Sequence, residues 1–246
     1  MVLTPSRRRG LAILAATVVG VALTARLGVW QLHRAAEKEA LEATRESRGR
    51  LPALTERDLA RDETEVADQA YRRIRLHGRW LADHTIYLDN RQMDGHPGFY
   101  VVTPLLLTAR GDAVVVQRGW IPRNSVDRTV LAPVQTPTGD VDVEGIVAPP
   151  PTRLFEFAHE TEGTIRQNLD LAAFAVESGV ALRPLSVQQS DGAATAGDGL
   201  QRRWPRPAVD VQRNYGYAFQ WFAMAALMTG LYVWFQLVRP RLRRGA

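Results

Sequence analysis

The stretch "RNYGYAFQWFAMAALMTGLYVWF" (residues 213–235) decides how the chain is organised. It opens with five aromatic residues in eight positions, 215–222, and then turns plainly apolar. Residues 217–238 are long enough as a helix to cross a hydrocarbon core, and Tyr and Trp at both ends match interfacial belts. "RPRLRRGA" follows at once, with Arg239, Arg241, Arg243 and Arg244 and no acid.

Working outward, a second apolar run stands near the start: "GLAILAATVVGVALTARLGVWQL", residues 10–32, preceded by Arg7, Arg8 and Arg9. As a helix, residues 11–32 rise roughly 33 Å, again enough for a span. A cleaved signal peptide is the rival reading. Leu23 is large for the −3 position of a cut after Ala25, and the apolar pattern continues through Trp30, so an uncleaved anchor is expected. Arg26 lies near the end of the run, where a guanidinium can snorkel outward. Arginines beyond the terminal end of each run place both termini in the cytoplasm. The expected division is therefore 1–9 cytoplasmic, 10–32 transmembrane, 33–213 on the periplasmic side, 214–238 transmembrane and 239–246 cytoplasmic. The expected location is the cell inner membrane, crossed twice.

The net charge of +5 does not point to nucleic acid. Eight arginines sit at the two ends with no acid among them, and removing them leaves −3 for residues 33–213. Basic clusters confined to the flanks of apolar runs read as topology signals. The absence of cysteine excludes disulfides, thiolate metal sites and a cysteine nucleophile. Lys38 is the sole lysine, which reads as a bias of genome composition.

Residues 33–213 read as mostly β. "YRRIRLHGRW" alternates, and "TIYLDN", "GFYVVTPLLL" and "AVVVQRGW" follow at short intervals, punctuated by Asp94-Gly95 and Arg110-Gly111-Asp112. "DVDVEGIV" is a further strand and "LRPLSVQQ" a last one. Helices are expected to be few. "HRAAEKEALEATRESRG" continues the first membrane helix as far as Gly49, and "NLDLAAFAVESG" starts at Asn168 or Asp170 and stops at Gly179. Residues 190–210 read as a flexible loop. The fold class is thus an α+β membrane protein, two transmembrane helices flanking a β-rich extramembrane domain.

Asp83, His84, Asp89, Asp94 and His96 raise a metal-dependent hydrolase, but their spacing matches no metal motif and turn chemistry accounts for the acids. His77 and His159 stand alone, and nothing assembles an acid–base pair or an activated nucleophile. No catalytic residue and no metal site is expected. "VVVQRGWIPRN" ends a strand in Arg118-Gly119-Trp120 before Pro122. Either Trp120 caps the core with Arg118 paired to a carboxylate, or Arg118, Gly119, Trp120 and Pro122 form a partner-binding surface near the membrane. "LGVWQLHR" (27–34) and "RNYGYAFQWF" (213–222) mark the outer ends of the two helices and are expected to face each other. Asn214, Tyr217, Ala218 and Trp221 share a helix face, and Gln31 and Gln220 suit interhelical hydrogen bonds. Their site fits helix pairing or an amphipathic planar ligand whose charged end meets Arg34 or Arg213.

The order of "LGVWQLHRAAEKEAL", "GRW", "IYLDNR", "GFYVVTPLLL", "VVVQRGWIPRN", "VEGIV", "NLDLAAF" and "YGYAFQWFAMA" resembles the Surfeit locus protein 1 family over roughly residues 10–236. The resemblance implies a non-catalytic assembly factor for cytochrome c oxidase, which helps place haem A in subunit I, with haem A synthase as a further partner. It also implies a haem-binding mouth at Trp30, Gln31, His33, Arg34, Asn214, Tyr217 and Trp221. The family's proposed histidine ligand maps onto Asn214, and asparagine is a poor axial ligand for iron. His33, expected at the same depth as Asn214, is the substitute ligand to test. The rivals are a scaffold that never touches haem and the membrane-anchored hydrolase.

Overall fold

The computed structural model describes residues 5–127, 129–151, 163–205 and 210–243. His159, Arg244 and the side chain of Arg7 lie outside them. The chain divides into two compact units, Thr44–Pro205 and the combination of Met1–Ala43 with Arg206–Ala246.

The larger unit is built on a closed ring of strands. In chain order its elements are β1 (Leu54–Thr55), α2 (Glu63–Gln69), β2 (Arg73–Trp80), β3 (Ile86–Met93), β4 (His96–Leu107), β5 (Ala113–Pro122), β6 (Asp140–Ala148), β7 (Ile165–Arg166), α3 (Leu171–Ser178) and β8 (Leu182–Gln189); α1 (Pro5–Gly49) precedes them. Strand β2 pairs with β6, β6 with β8, β8 with β5, β5 with β4, and β4 returns to β2. Only β5 and β8 run parallel around this ring. The result is a five-stranded Greek-key barrel, the architecture of OB-folds, which by itself fixes no function.

Local sequence explains the geometry. Strand β2 alternates exposed and buried residues because one face lines the barrel and the other meets solvent. Strand β5 is apolar without alternation because both faces are covered. Val114 and Val116 join the barrel core, while Val115 packs with Ile86, Leu88 and Phe174 beneath α3. On β4, Pro104 stands between the half that pairs with β3 and the end that pairs with β2. A proline gives no ladder donor, so a change of partner is where a strand tolerates it. Asp94 and Gly95 both take positive φ in the β3–β4 turn, as a two-residue hairpin requires. Asp170 caps α3 by accepting from the Ala172 and Ala173 amides, and Gly179 ends it in the left-handed region.

Sequence periodicity anticipates the long strands, α3 and the run of α1 to Gly49. It misses α2, whose cap Asp62 accepts from Thr64 and Glu65. The expectation of a flexible loop at 190–210 needs correction for its described part, 190–205. The Trp120 amide donates to the Gln201 carbonyl at 2.7 Å, and Gln201 donates back at 3.0 Å. Leu200 is in a core cluster and the Arg202 side chain is buried against Asp198. The anchors are one leucine and an ion pair, which carry no periodic signal.

The smaller unit is an antiparallel helix pair. Between Gly20 and Glu39, α1 meets α4 (Val211–Tyr232), which passes through a π-helical turn (Val233–Val238) into α5 (Arg239–Leu242). Pro240 accounts for that turn: it offers no amide to the carbonyl of Gln236 and its ring crowds it. Contacts run in opposite directions along the pair. Lys38 meets Asn214, a Cβ on Gly28 would lie 2.8 Å from the Phe222 ring, and one on Gly20 would lie 3.2 Å from the Met228 sulfur.

Candidate functional site

Two places in the molecule hold chemistry that packing alone does not call for. The first is the seam of the helix pair. Gln31 and Lys38 lie seven residues apart on α1 and so share a face, with the buried Ala35 between them. Asn214 of α4 bridges them: its amide nitrogen donates to the Gln31 Oε1 at 2.7 Å, and its Oδ1 accepts from the Lys38 Nζ at 2.9 Å. At the next residue along each helix, the Tyr215 hydroxyl donates to Glu39 at 2.9 Å. The sole lysine of the chain is therefore a structural part of the seam, a role its sequence context does not announce.

The expected mouth is only partly assembled. Asn214, Ala218 and Trp221 turn toward the seam, but Tyr217 is 44% exposed and Trp30 53% exposed. Arg34 pairs with Glu37 at 2.8 Å on the surface. The expectation that His33 reaches Asn214 is overturned. At 100° per residue His33 lies about 150° from the midline between Gln31 and Lys38, and its side chain is exposed. The residues present do not fit a haem-iron site here. Both hydrogen-bonding functions of the Asn214 amide are taken, and the imidazole is on another flank.

The second place is the bulge in β5. Val101 pairs with Gly119 and Val102 with Gln117, so Arg118 is the extra residue. Arg118 is 2% exposed, and its guanidinium lies 4.8 Å above the Trp80 ring and donates to the Thr136 Oγ1 and the Gln135 carbonyl, each at 2.6 Å. Burial pulls its pKa down from the ordinary arginine value, while the charge of Asp198 opposes that. Trp120 is 3% exposed and donates through Nε1 to the Arg91 carbonyl at 2.9 Å. Gly119 is buried too, and of these four residues only Pro122 is exposed. Arg118 and Trp120 thus face inward. Arg118 has no carboxylate within 4.0 Å among the described residues, so the expected pairing is also absent.

Of the five residues weighed for a metal, Asp89, Asp94 and His96 are engaged elsewhere. Asp89 pairs with Arg123, Asp94 with Arg203 at 2.7 Å, and the His96 ring meets the Asp94 carbonyl at 3.1 Å. Among the described residues no three His, Asp or Glu side chains converge as a metal site.

The sequence profile of the SURF1 family matches residues 18–226, a range that holds both the seam and the β5 bulge. The chain belongs to the SURF1 family. A SURF1-like protein of Drosophila melanogaster is 27% identical over 240 residues, covering 90% of this chain and 76% of its own. The Surfeit locus protein 1 of Rattus norvegicus is 27% identical over 227 residues, covering 85% and 70%. The cytochrome oxidase assembly protein SHY1 of Saccharomyces cerevisiae is 30% identical over 101 residues, 41% of this chain and 25% of its own. The chain carries two helices, Arg8–Gly49 and Val211–Leu242, that are long and apolar enough to cross a membrane, their apolar 18-residue stretches having mean hydropathies of 1.9 and 1.5.

Proposed function

We propose that this chain is a non-catalytic, membrane-anchored factor in cytochrome c oxidase assembly. Both helices span the inner membrane, both termini are cytoplasmic, and the barrel is on the periplasmic side. Family membership over residues 18–226 is the observation that carries the assembly role, and the name of the yeast relative, a cytochrome oxidase assembly protein, agrees with it. The arginines beyond each apolar run support the orientation. The target is subunit I, with haem A synthase as a second partner. The chain assists haem A insertion by holding the partner and not by ligating iron, a reading supported by the engaged Asn214 amide and the distant His33. The scaffold reading of the helix pair is thereby preferred to the carrier reading.

Deletion and complementation test this. Loss of the gene lowers oxidase activity and haem A in the oxidase while subunit I is still synthesised, and the full chain restores both. His33→Ala restores them equally well. Normal oxidase activity in the deletion strain overturns the assembly role. A low-spin haem spectrum on the purified chain that disappears in His33→Ala overturns the scaffold reading alone. Reporter fusions active at a terminus only outside the cytoplasm overturn the orientation.

A further inference from the structure

The end of the barrel that holds the β5 bulge contains a cavity of about 280 Å³. Its walls include Trp80 at the end of β2, Val141 and Val143 at the start of β6, and Gln189 at the end of β8, with Arg118 and Thr195 closing it. Barrel mouths are a usual place for small-molecule sites, which combine apolar walls with a few placed polar groups.

The unusual wall is Arg118. A guanidinium stays charged in a protein, and a buried charge is tolerated when it is paired. Three other buried arginines of the same unit follow that rule: Arg166 pairs with Glu177, Arg183 with Asp112, and Arg202 with Asp198. Arg118 has two neutral acceptors, Thr136 and the Gln135 carbonyl, and its Nε is buried with no partner. The unpaired Nε alone does not distinguish it, since Arg183 and Arg202 share that feature; the lack of a carboxylate among the described residues separates it from those three. Asp198 also lines the cavity but is held by Arg202, and Asp142 is largely exposed and bound to the His77 Nδ1 at 2.8 Å. Among the described residues Arg118 therefore makes no ion pair, and only the charge of Asp198, already held by Arg202, acts on it from the wall of a small, partly apolar cavity.

We propose that this cavity binds a small organic carboxylate, with its oxygens on the Arg118 guanidinium and its apolar body against Val141 and Val143. A carboxylate suits the site because its planar pair of oxygens matches the donor fork of arginine. The Trp80 ring beneath Arg118 and the bulge in β5 fix the fork in place before a ligand arrives. A free small acid is favoured over an acidic side chain of a partner protein because Arg118 is 2% exposed, out of reach of a chain docked on the surface. The site is independent of the assembly role and stands or falls without it.

Benzoate is the probe and benzamide its neutral isostere, both titrated into the full chain in detergent. Benzoate at ten times its dissociation constant raises Tm by roughly 3–5 °C, as expected for one site on a chain of this size, while benzamide does not. In a spectrum of ¹⁵N-arginine-labelled protein the Arg118 Nε–H resonance moves with benzoate. Arg118→Met loses the Tm response, and Arg118→Lys, which keeps the charge without the fork, binds about tenfold more weakly. The proposal is overturned by an unmoved Arg118 resonance, by equal responses to benzoate and benzamide, or by a response that survives in Arg118→Met. An equal response to inorganic phosphate overturns the carboxylate assignment. Binding of N-acetyl-aspartate amide with no binding of benzoate assigns the site to a protein side chain instead. If Arg118→Met does not fold, the resonance and Arg118→Lys still decide.

Discussion

In the barrel unit, Ile74, Leu76, Leu105, Val114 and Val187 are inside and charged residues ring the outside. In the helix pair the arrangement is inverted. Leu11, Ile13, Val18, Val19, Leu23, Phe219 and Leu227 face outward, whereas Thr24, Gly28, Gln31, Ala35, Asn214 and Ala218 lie along the seam. Phe219 is 75% exposed. Among the described residues between Thr44 and Pro205 the exposed large apolar side chains are few and scattered, as on any soluble surface. An apolar exterior around a seam of small and polar residues is what lipid-facing helices show, since lipid gives apolar side chains no reason to turn inward. The difference teaches that one chain carries two kinds of exterior, an apolar one on the helix pair and a polar one on the barrel unit.

The comparison predicts where substitutions hurt. The largest effect is expected at Gly98, where a Cβ would lie 2.2 Å from the Ile121 carbonyl oxygen and 2.4 Å from the Trp120 ring. Backbone and a buried indole cannot yield. Gly98→Val is expected to prevent barrel folding, and Gly98→Ala to cost about 3 kcal/mol by overpacking; chemical denaturation measures it. Next is Glu177→Gln, which leaves the buried Arg166 without its two charged contacts at 2.8 and 2.5 Å. The cost is about 2 kcal/mol, discounted from the buried-pair range because Glu177 is 44% exposed. Arg166 holds the Glu177 carboxyl below its ordinary value of 4.5, chiefly through the hydrogen bond. The pair's contribution is thus full above that ordinary value and is lost as pH falls through the lower folded one. Glu177→Gln removes that part of the acid sensitivity, which a pH series of Tm values detects.

Within the helix pair the effects are smaller. Asn214→Leu breaks both seam hydrogen bonds and is expected to weaken helix association by about 1 kcal/mol, measured by thermal unfolding in detergent. Gly216→Ala sits where a Cβ meets nothing within 4 Å. It is expected to be neutral or stabilising by up to about 1 kcal/mol through helix propensity. A Gly216→Ala cost as large as that of Gly98→Ala would break the contrast between the two units.

How much of this was legible in the sequence depends on whether a feature is periodic. The strands alternate or carry continuous β-branched runs, the two apolar helices are long and flanked by arginine, and α3 has both caps, so all were readable. The closure of the barrel through three residue pairs between β2 and β4 was not, because pairing across distant strands leaves no local mark. The same holds for Lys38, whose partner is 176 positions away. Gln31 is legible as a residue suited to an interhelical hydrogen bond, but its partner Asn214 is not. The ordering of 190–205 rests on single anchors, and Arg118 shows its burial only once the bulge turns it inward.

The central claim is that the helix pair is clothed by lipid and the barrel by water, and the cysteine-free chain allows a direct measurement. Single cysteines replace Val19 and Phe219 on the helices and Val126 and Val176 on the barrel unit, all exposed. Each carries a nitroxide in reconstituted bilayers, and its collision rates with oxygen and with a water-soluble nickel chelate are compared. The account predicts high oxygen and low nickel access at positions 19 and 219, with the reverse at 126 and 176. Nickel access at positions 19 and 219 equal to that at 126 and 176 would contradict it.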